Sequence, residues 1–239
     1  ILIIGSIVAL VFLAVAGNEK RAATGLTRQN WKSAVLIVLA FVGIYIVRTV
    51  VSVAVQGVSD GSGMQHVKEW AAMFKNPMMW LNIAALPINY FFVFIAFFGE
   101  EYGWRYYLQP VLQKRFGLRA GVIILGVVWG LWHIPDDLFY YTQTSGIQMI
   151  FAQQITCISL GIFFAYAYMK TQNIWVPVCL HYLNNNLIPI ISGTFSADVL
   201  ENQTVSWKDL PVALVLNGLC FGFFLLADVF KKKEVQEEE

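Results

Sequence analysis

Charged residues are scarce in this sequence. Only 13% of its 239 residues are charged, whereas soluble domains carry about 25%. Residues 77–99 include no charged residue at all. Hydrophobic residues make up 58% of the chain, and its mean hydropathy is +0.62. This composition excludes a soluble globular protein and predicts an all-α, polytopic membrane helical bundle.

Cysteines and polar linkers are also few. The three cysteines lie in apolar segments without Cys-x-x-Cys spacing, so we expect packing residues rather than disulfides or a zinc knuckle. No polar linker separates independent domains. We therefore expect one membrane domain, with N-terminal helices and an outer loop in 1–76, a core in 77–193, and an outer loop, last helix and tail in 194–239.

About seven apolar stretches are long enough to cross some 30 Å of hydrocarbon, counting a clipped first one that we do not interpret as a signal peptide. They are 1–16, 33–58, 77–109, 118–135, 147–169, 174–193 and 210–230. Alternating loops place 12 of the 16 Lys and Arg residues on one side and three on the other. Because cytoplasmic loops are enriched in Lys and Arg, we expect a multi-pass cell-membrane protein whose C-terminus is cytoplasmic.

The basic residues assigned to the cytoplasmic side are Lys20, Arg21, Arg28, Lys32, Arg105, Lys114, Arg115, Arg119, Lys170, Lys231, Lys232 and Lys233. Those assigned to the opposite side are Lys68, Lys75 and Lys208.

Two adjacent glutamates, Glu100 and Glu101, follow the uncharged stretch. A charged side chain at the bilayer centre costs about 2.5–3.5 kcal/mol on insertion scales, so the pair indicates a functional site. Glu101 and Arg105 are spaced i,i+4 and are expected to pair on one helix face. Glu100 points about 100° away and is left for other partners.

Two of the three histidines reach a comparable depth. Spans 77–109 and 118–135 should form an antiparallel hairpin turning at Phe116 and Gly117. Glu100 and His133 each lie about 16 residues from that turn, or about 24 Å along a helix, with Pro110 expected to kink one arm. His181 follows Lys170 by 11 residues, which corresponds to about 16 Å at the rise per residue of an α-helix. We expect three helices to meet at one level, reached from the cytoplasmic side.

Spacing adds further candidates at this level. Asn185 follows His181 by four residues, so both side chains aim at one spot. Trp129 precedes His133 by four residues and should place an aromatic wall beside it. Gly99-x3-Gly103 and Gly126-x3-Gly130 predict close helix approach. Each feature alone is typical of packing. The hypothesis rests on the set Glu100, Glu101, Arg105, His133, His181 and Asn185.

Three motifs in this order resemble the signatures of the CPBP family, which comprises CAAX prenyl-protein endopeptidases and bacteriocin-processing or immunity proteases. They are Glu100-Glu101-x3-Arg105, Trp129-x3-His133 and His181-x3-Asn185. The resemblance covers roughly residues 77–192, and the family usually has Phe at the position of Trp129. It implies peptide-bond hydrolysis in a cavity open to the cytoplasm, with 77–193 as the catalytic core.

The resemblance also implies a role for each residue. Glu100 would be the general base, with His133 holding the attacking water. His181 and Asn185 would stabilise the oxyanion, and Glu101 with Arg105 would orient the site. The chemistry agrees, because amide hydrolysis needs a base, a water and charge stabilisation. We expect a hydrophobic or prenylated peptide and the lipid bilayer as partners, and no nucleic acid.

Three alternatives stay open at this point. The cofactor is either none or a divalent metal such as Zn²⁺, held by Glu100, His133 and His181. A non-catalytic immunity or scaffold protein would use the same cavity for binding. A proton-coupled transporter also fits intramembrane Glu and His, although the two halves show no internal repeat.

Overall fold

The computed structural model describes residue 26 and residues 29–61, 63–192 and 197–231. Every regular element in these ranges is helical, which confirms the predicted all-α class. The α-helices are α1 Trp31–Asp60, α2 Gly63–Phe74, α3 Pro77–Glu101, α4 Gln109–Phe116, α5 Leu118–Trp132, α6 Ile134–Phe139, α7 Gly146–Thr171, α8 Trp175–Ser192, α9 Ala197–Glu201 and α10 Asp209–Cys220. A π-helix, Tyr102–Leu108, joins α3 to α4, and two 3₁₀ turns, Gly222–Leu226 and Asp228–Phe230, follow α10.

Four helical stretches are long and apolar enough to cross a membrane, so the chain is a multi-pass membrane protein. They are Trp31–Val55, Pro77–Phe116, Leu118–Phe139 and Gly146–Thr171. These correspond to the second to fifth of the seven predicted spans. The predicted span 174–193 is helical as α8, which contains three consecutive asparagines and is not among the four. The predicted span 210–230 begins as the 12-residue α10 and continues in the 3₁₀ turns.

Several predictions fall on residues outside the described ranges. They concern the first span, 1–16, the tail 232–239, and the basic residues Lys20, Arg21, Arg28, Lys232 and Lys233.

The predicted hairpin turns where the sequence indicates. Gly117 separates α4 from α5 with φ +89°, a left-handed conformation that costs glycine little. Its N–H donates to the Gln113 carbonyl at 2.9 Å. A Cβ on Gly121 would lie only 2.6 Å from the backbone N of Gln113. The two arms therefore touch backbone to backbone beside the turn.

The helical irregularity expected at Pro110 lies just before that residue. Pro110 occupies the first turn of α4, and the π-helix Tyr102–Leu108 precedes it. The Gln109 N–H donates to the Trp104 carbonyl, five residues back, as a π-helix requires. A proline ring collides with the carbonyl four residues before it in a regular α-helix, and the wider turn accommodates this conflict.

Helices α5 and α7 pack antiparallel through glycines. A Cβ on Gly126 would lie 2.7 Å from the Ile158 Cα, and one on Gly130 would lie 2.6 Å from the Gln154 side chain. The close approach predicted for Gly126-x3-Gly130 is therefore confirmed. A Cβ on Gly103 would meet nothing within 4 Å, so the same prediction is wrong for that residue.

This contrast leads to a stability prediction. Gly126→Ala forces the α5 and α7 backbones apart and should lower the free energy of unfolding by about 1–3 kcal/mol, the usual cost of overpacking. Gly103→Ala is the matched control in another helical segment and should be neutral or slightly stabilising. Thermal denaturation of both purified variants in one detergent measures the difference. Equal stability of the two variants would contradict the close approach.

The bundle has two ends, each closed by contacts between connections. One end, which we call the basic end, holds the Gly117 turn and residues 171–173, and there Asn30 Nδ2 donates to the Thr171 carbonyl at 3.0 Å. The opposite end, which we call the far end, holds residues 140–145 and 201–208. There the Gln203 N–H donates to the Tyr141 carbonyl at 2.9 Å.

Candidate active site

Glu101 is the centre of a fully buried ion network. Its Oε2 lies 2.9 Å from Nε of Arg105, which confirms the i,i+4 pair expected from spacing. Its Oε1 lies 2.9 Å from Nδ1 of His181, a contact between helices α3 and α8 that the sequence did not predict. Both carboxylate oxygens of Glu101 therefore have cationic or N–H partners.

Arg105 lies inside the bundle and not in a loop. Its side chain has no exposed surface, so counting it among the basic residues of the cytoplasmic side was wrong. Its Nη1 donates to the Gly161 carbonyl at 3.3 Å, and its guanidinium lies 5.2 Å from the Trp129 ring centroid. The pairing with Glu101 and the aromatic face compensate for taking the charge out of water.

His133 is half-buried at the junction of α5 and α6. Its Nδ1 lies 2.9 Å from the Trp129 carbonyl oxygen, and only a protonated nitrogen can pair with a carbonyl. The free ring nitrogen is therefore Nε2. The Trp129 ring stands 5.9 Å from the His133 ring at 66°, which confirms the predicted aromatic wall.

His181 is held among aromatic rings. Its ring centroid lies 5.1 Å from that of Phe97 and 5.4 Å from that of Trp129, both nearly edge to face. Phe164 lies 6.2 Å away. Because Glu101 occupies Nδ1, the nitrogen left for any ligand is Nε2.

A cavity of about 260 Å³ connects these side chains. His133, His181 and Asn185 all line it, so the predicted convergence of α5 and α8 at one level is confirmed. The remaining lining residues are Trp129, Tyr141, Met149, Gln153, Thr156, Cys157, Leu160, Asn184, Pro189, Leu200 and Gln203. Neither glutamate is among these lining residues.

Glu100 differs from its neighbour in its surroundings. It is half-buried, and its Oε2 is buried without a hydrogen-bond partner in the described part of the chain. It lies close enough to His181 and Cys157 to interact with both electrostatically. As the helical spacing predicts, Glu100 is the acid with an uncommitted oxygen.

Asn185 is oriented by Tyr45 and Asn184, which are not among the six candidate residues. The Tyr45 hydroxyl donates to Oδ1 of Asn184, and Asn184 Nδ2 donates to Oδ1 of Asn185 at 2.8 Å. This relay leaves Nδ2 of Asn185 as the free donor at the cavity. The run of asparagines was visible in the sequence, but nothing in it indicated that α1 would supply the tyrosine.

Comparison with known proteins agrees with the geometry. Residues 80–187, which include all six candidate residues, match the family model described as type II CAAX prenyl endopeptidase Rce1-like. This match makes the segment similar to the CPBP family of intramembrane proteases, and we call residues 80–187 the CPBP segment. A curated relative, CAAX prenyl protease 2 of Methanococcus maripaludis, is 27% identical to the chain over 125 residues.

The CPBP segment accounts for part of the chain only. The alignment with the curated relative covers 48% of this chain and 45% of that protein, so the chain spans about half of the relative's length. No solved structure matches the chain.

The side chains that the zinc alternative requires are not grouped together in the CPBP segment. In the ranges that the structure describes, no group of three or more His, Cys, Asp or Glu side chains is arranged to hold a metal ion. Nδ1 of His181 is bonded to Glu101 and Nδ1 of His133 to a backbone carbonyl, so each ring keeps only Nε2 for a ligand. Glu100, His133 and His181 are not assembled as a ligand group in these ranges, and no step proposed below runs through a metal.

The CPBP segment also contains a buried acid outside the six candidate residues. Asp137 is fully buried in the first turn of α6. Both of its carboxylate oxygens lack a hydrogen-bond partner among the described residues. Its neighbour Asp136 is exposed. The sequence alone does not indicate which of these two adjacent acids is buried.

Proposed function

We propose that this protein is an intramembrane endopeptidase that hydrolyses a peptide bond in a hydrophobic or lipidated, CAAX-like peptide. The observation that carries this proposal is the cavity lined by His133, His181 and Asn185, with the Glu101–Arg105 pair bonded behind His181. A preorganised set of donors in a buried cavity is what stabilisation of a tetrahedral oxyanion needs.

Glu100 is the proposed general base. Both oxygens of Glu101 are engaged by Arg105 and His181, so Glu101 has no oxygen left to take a proton. Oε2 of Glu100 has no such partner. Glu100 does not line the cavity, but catalytic contacts often tighten only when substrate binds.

The proposed reaction proceeds by direct attack of water. Glu100 accepts a proton as the water oxygen forms a bond to the scissile carbonyl carbon, while Nε2 of His133 holds that water. The C–N bond then breaks, and the proton passes from Glu100 to the leaving nitrogen. The products are a free carboxyl group and a free amine. No serine or cysteine nucleophile takes part.

His181 and Asn185 are the proposed oxyanion donors. The Asn184–Asn185 hydrogen bond leaves the Nδ2 group of Asn185 free to donate. Nδ1 of His181 binds Glu101, so Nε2 is the ring nitrogen that faces the cavity. In the proposed oxyanion-stabilising form the ring carries a proton on each nitrogen, and the adjacent Glu101 carboxylate stabilises that positive charge. Removing one such donor typically lowers kcat by about 10²–10³.

The proposed setting is the cell membrane, with the basic end and the C-terminus in the cytoplasm. The described Lys and Arg residues at the basic end are Lys32, Lys114, Arg115, Arg119, Lys170 and Lys231, and those toward the far end are Lys68, Lys75 and Lys208. This asymmetry supports the orientation.

One observation favours a second candidate function. Because neither glutamate lines the cavity, a non-catalytic immunity or scaffold protein could use the same cavity to bind a peptide without hydrolysing it. Such a protein would retain its cellular effect when Glu100 is replaced by alanine, whereas a protease would lose it.

The proposed activity is tested with purified protein in detergent and fluorogenic hydrophobic peptides, each made with and without a prenyl group. We expect cleavage that persists after treatment with a chelator and in protein that metal analysis shows to be free of zinc. Loss of activity with a chelator, restored by added Zn²⁺, would contradict the metal-free mechanism. Absence of cleavage for every peptide would contradict the proposed function.

A further inference from the structure

The cavity extends from the two histidines toward the far end of the bundle. Helix α5 runs from the basic end toward the far end and contributes residues at its far-end terminus, Trp129 and the adjoining His133. Antiparallel α7 contributes residues 149–160 from its far-end half, and α8 contributes residues 181–189. Tyr141 and Gln203 complete the lining from the far-end connections. The cavity lining therefore lies on the far-end side of the two histidines.

Between the histidines and the basic end, apolar side chains fill the interior of the bundle. Val122 and Ala165 have no exposed surface, and Ile162 and Phe230 pack with them in one apolar cluster. A second cluster, of Phe98, Ile174 and Val178, is also fully buried. The depth estimate from the sequence placed the site at the correct level but did not determine which side of that level would be open.

The charge pattern assigns the two ends to opposite faces of the membrane. Lys and Arg are concentrated at the basic end, where Lys114, Arg115 and Arg119 are all exposed. At the far end, exposed acidic residues accompany the lysines. They include Asp136, Glu201 and Asp209. By the positive-inside rule the basic end is cytoplasmic, so the cavity faces the other compartment.

The lining is polar but carries no carboxylate, lysine or arginine. Its polar groups are amides, hydroxyls and the two imidazoles, from residues such as Gln153, Thr156, Asn185 and Gln203. Amides and hydroxyls pair well with the N–H and C=O groups of an extended peptide. A charged side chain of a substrate would find no carboxylate, lysine or arginine among these lining residues. The two imidazoles are committed to the water and the oxyanion in the proposed reaction, so such a side chain would bear its desolvation cost.

We propose that the site takes its substrate from the non-cytoplasmic side, as an uncharged peptide segment that enters at the far end of the bundle. This inference rests on the proposed peptidase function and specifies its substrate class. Of the two substrate classes in the proposed function, it selects a hydrophobic peptide over a lipidated tail displayed in the cytoplasm.

Access is tested first without relying on activity. Asn185→Cys places a thiol on an exposed position of the cavity, and Arg115→Cys places one at the basic end. Both are made with Cys157, Cys179 and Cys220 replaced by serine, and again with these three retained in case the serine background does not fold. A membrane-impermeant maleimide should label Asn185→Cys in intact cells and Arg115→Cys only after permeabilisation. Labelling of both positions from the same side would overturn the proposal.

Substrate class is tested with the native chain in oriented vesicles. An impermeant, uncharged peptide should be cleaved by right-side-out vesicles and not by sealed inside-out ones. The same peptide with one Lys or Asp beside the scissile bond should react at least about tenfold more slowly. Cleavage by inside-out vesicles alone would overturn the proposed side of entry, and equal rates for the charged peptides would overturn the proposed substrate class. Absence of cleavage even in detergent would count against the peptidase function, while the labelling still decides access.

Discussion

Glu100→Ala should lower the rate of peptide cleavage by a factor of about 10²–10⁴, the usual contribution of a general base. The reason is that Glu100 alone of the two acids retains an oxygen without a protein partner. The folded state should be little affected, because no ion pair is broken. Initial rates with one fluorogenic peptide, measured at saturating concentration, report the change in kcat.

Glu201→Gln provides the control for this experiment. Glu201 is an exposed acid at the far end and does not line the cavity, so its rate should match that of the wild type. Glu100→Gln keeps the shape of the side chain without its basicity, and it should be as inactive as the alanine variant. Full activity of Glu100→Gln would show that the residue does not act as a base.

Arg105→Ala should have the largest effect on stability. Removing one member of a buried ion pair costs about 3–5 kcal/mol, because the remaining charge stays buried without compensation. Here Glu101 would be left with His181 as its one partner among the residues that the structure describes. Thermal denaturation in detergent should show a large fall in midpoint, and activity should be lost because His181 is no longer fixed.

Two further variants distinguish the cost of leaving a buried charge unpaired from the cost of substitution in general. Lys231→Ala removes a pair in which both side chains are exposed, with Asp228 as partner, and should leave the midpoint nearly unchanged. The double variant Glu101→Leu, Arg105→Leu removes both buried charges and should be more stable than Arg105→Ala. If the double variant were the less stable of the two, the cost would come from lost packing and not from an uncompensated charge.

Local spacing predicted the parts of the site that depend on a single helix. The Glu101–Arg105 pair follows from an i,i+4 relation, and Trp129 and His133 follow from the same relation on α5. The hairpin at Gly117 also follows, since a glycine and the basic residues flanking it interrupt two apolar runs. In each case the partners are close in sequence, so helical geometry alone fixes their distance.

Contacts between distant segments were harder to predict. Glu101 and His181 are 80 positions apart, and Tyr45 reaches Asn184 over 139 positions. Counting residues along the helices predicted the depth of His181 correctly. It did not predict how α8 is rotated about its own axis, and that rotation determines which residues His181 contacts. For this reason the bond between His181 and Glu101 could not be predicted from the sequence.

The location of the Glu101–Arg105 pair on one helical segment has a consequence for biogenesis. Both charges enter the membrane within the same stretch, Pro77–Phe116, and neither needs another helix to be neutralised. Insertion of this stretch can therefore precede assembly of the bundle, because the energetic penalty of its charges is already reduced. His181 belongs to a segment synthesised later, so the network is completed only when α8 docks. The order of synthesis thus places charge neutralisation before active-site assembly.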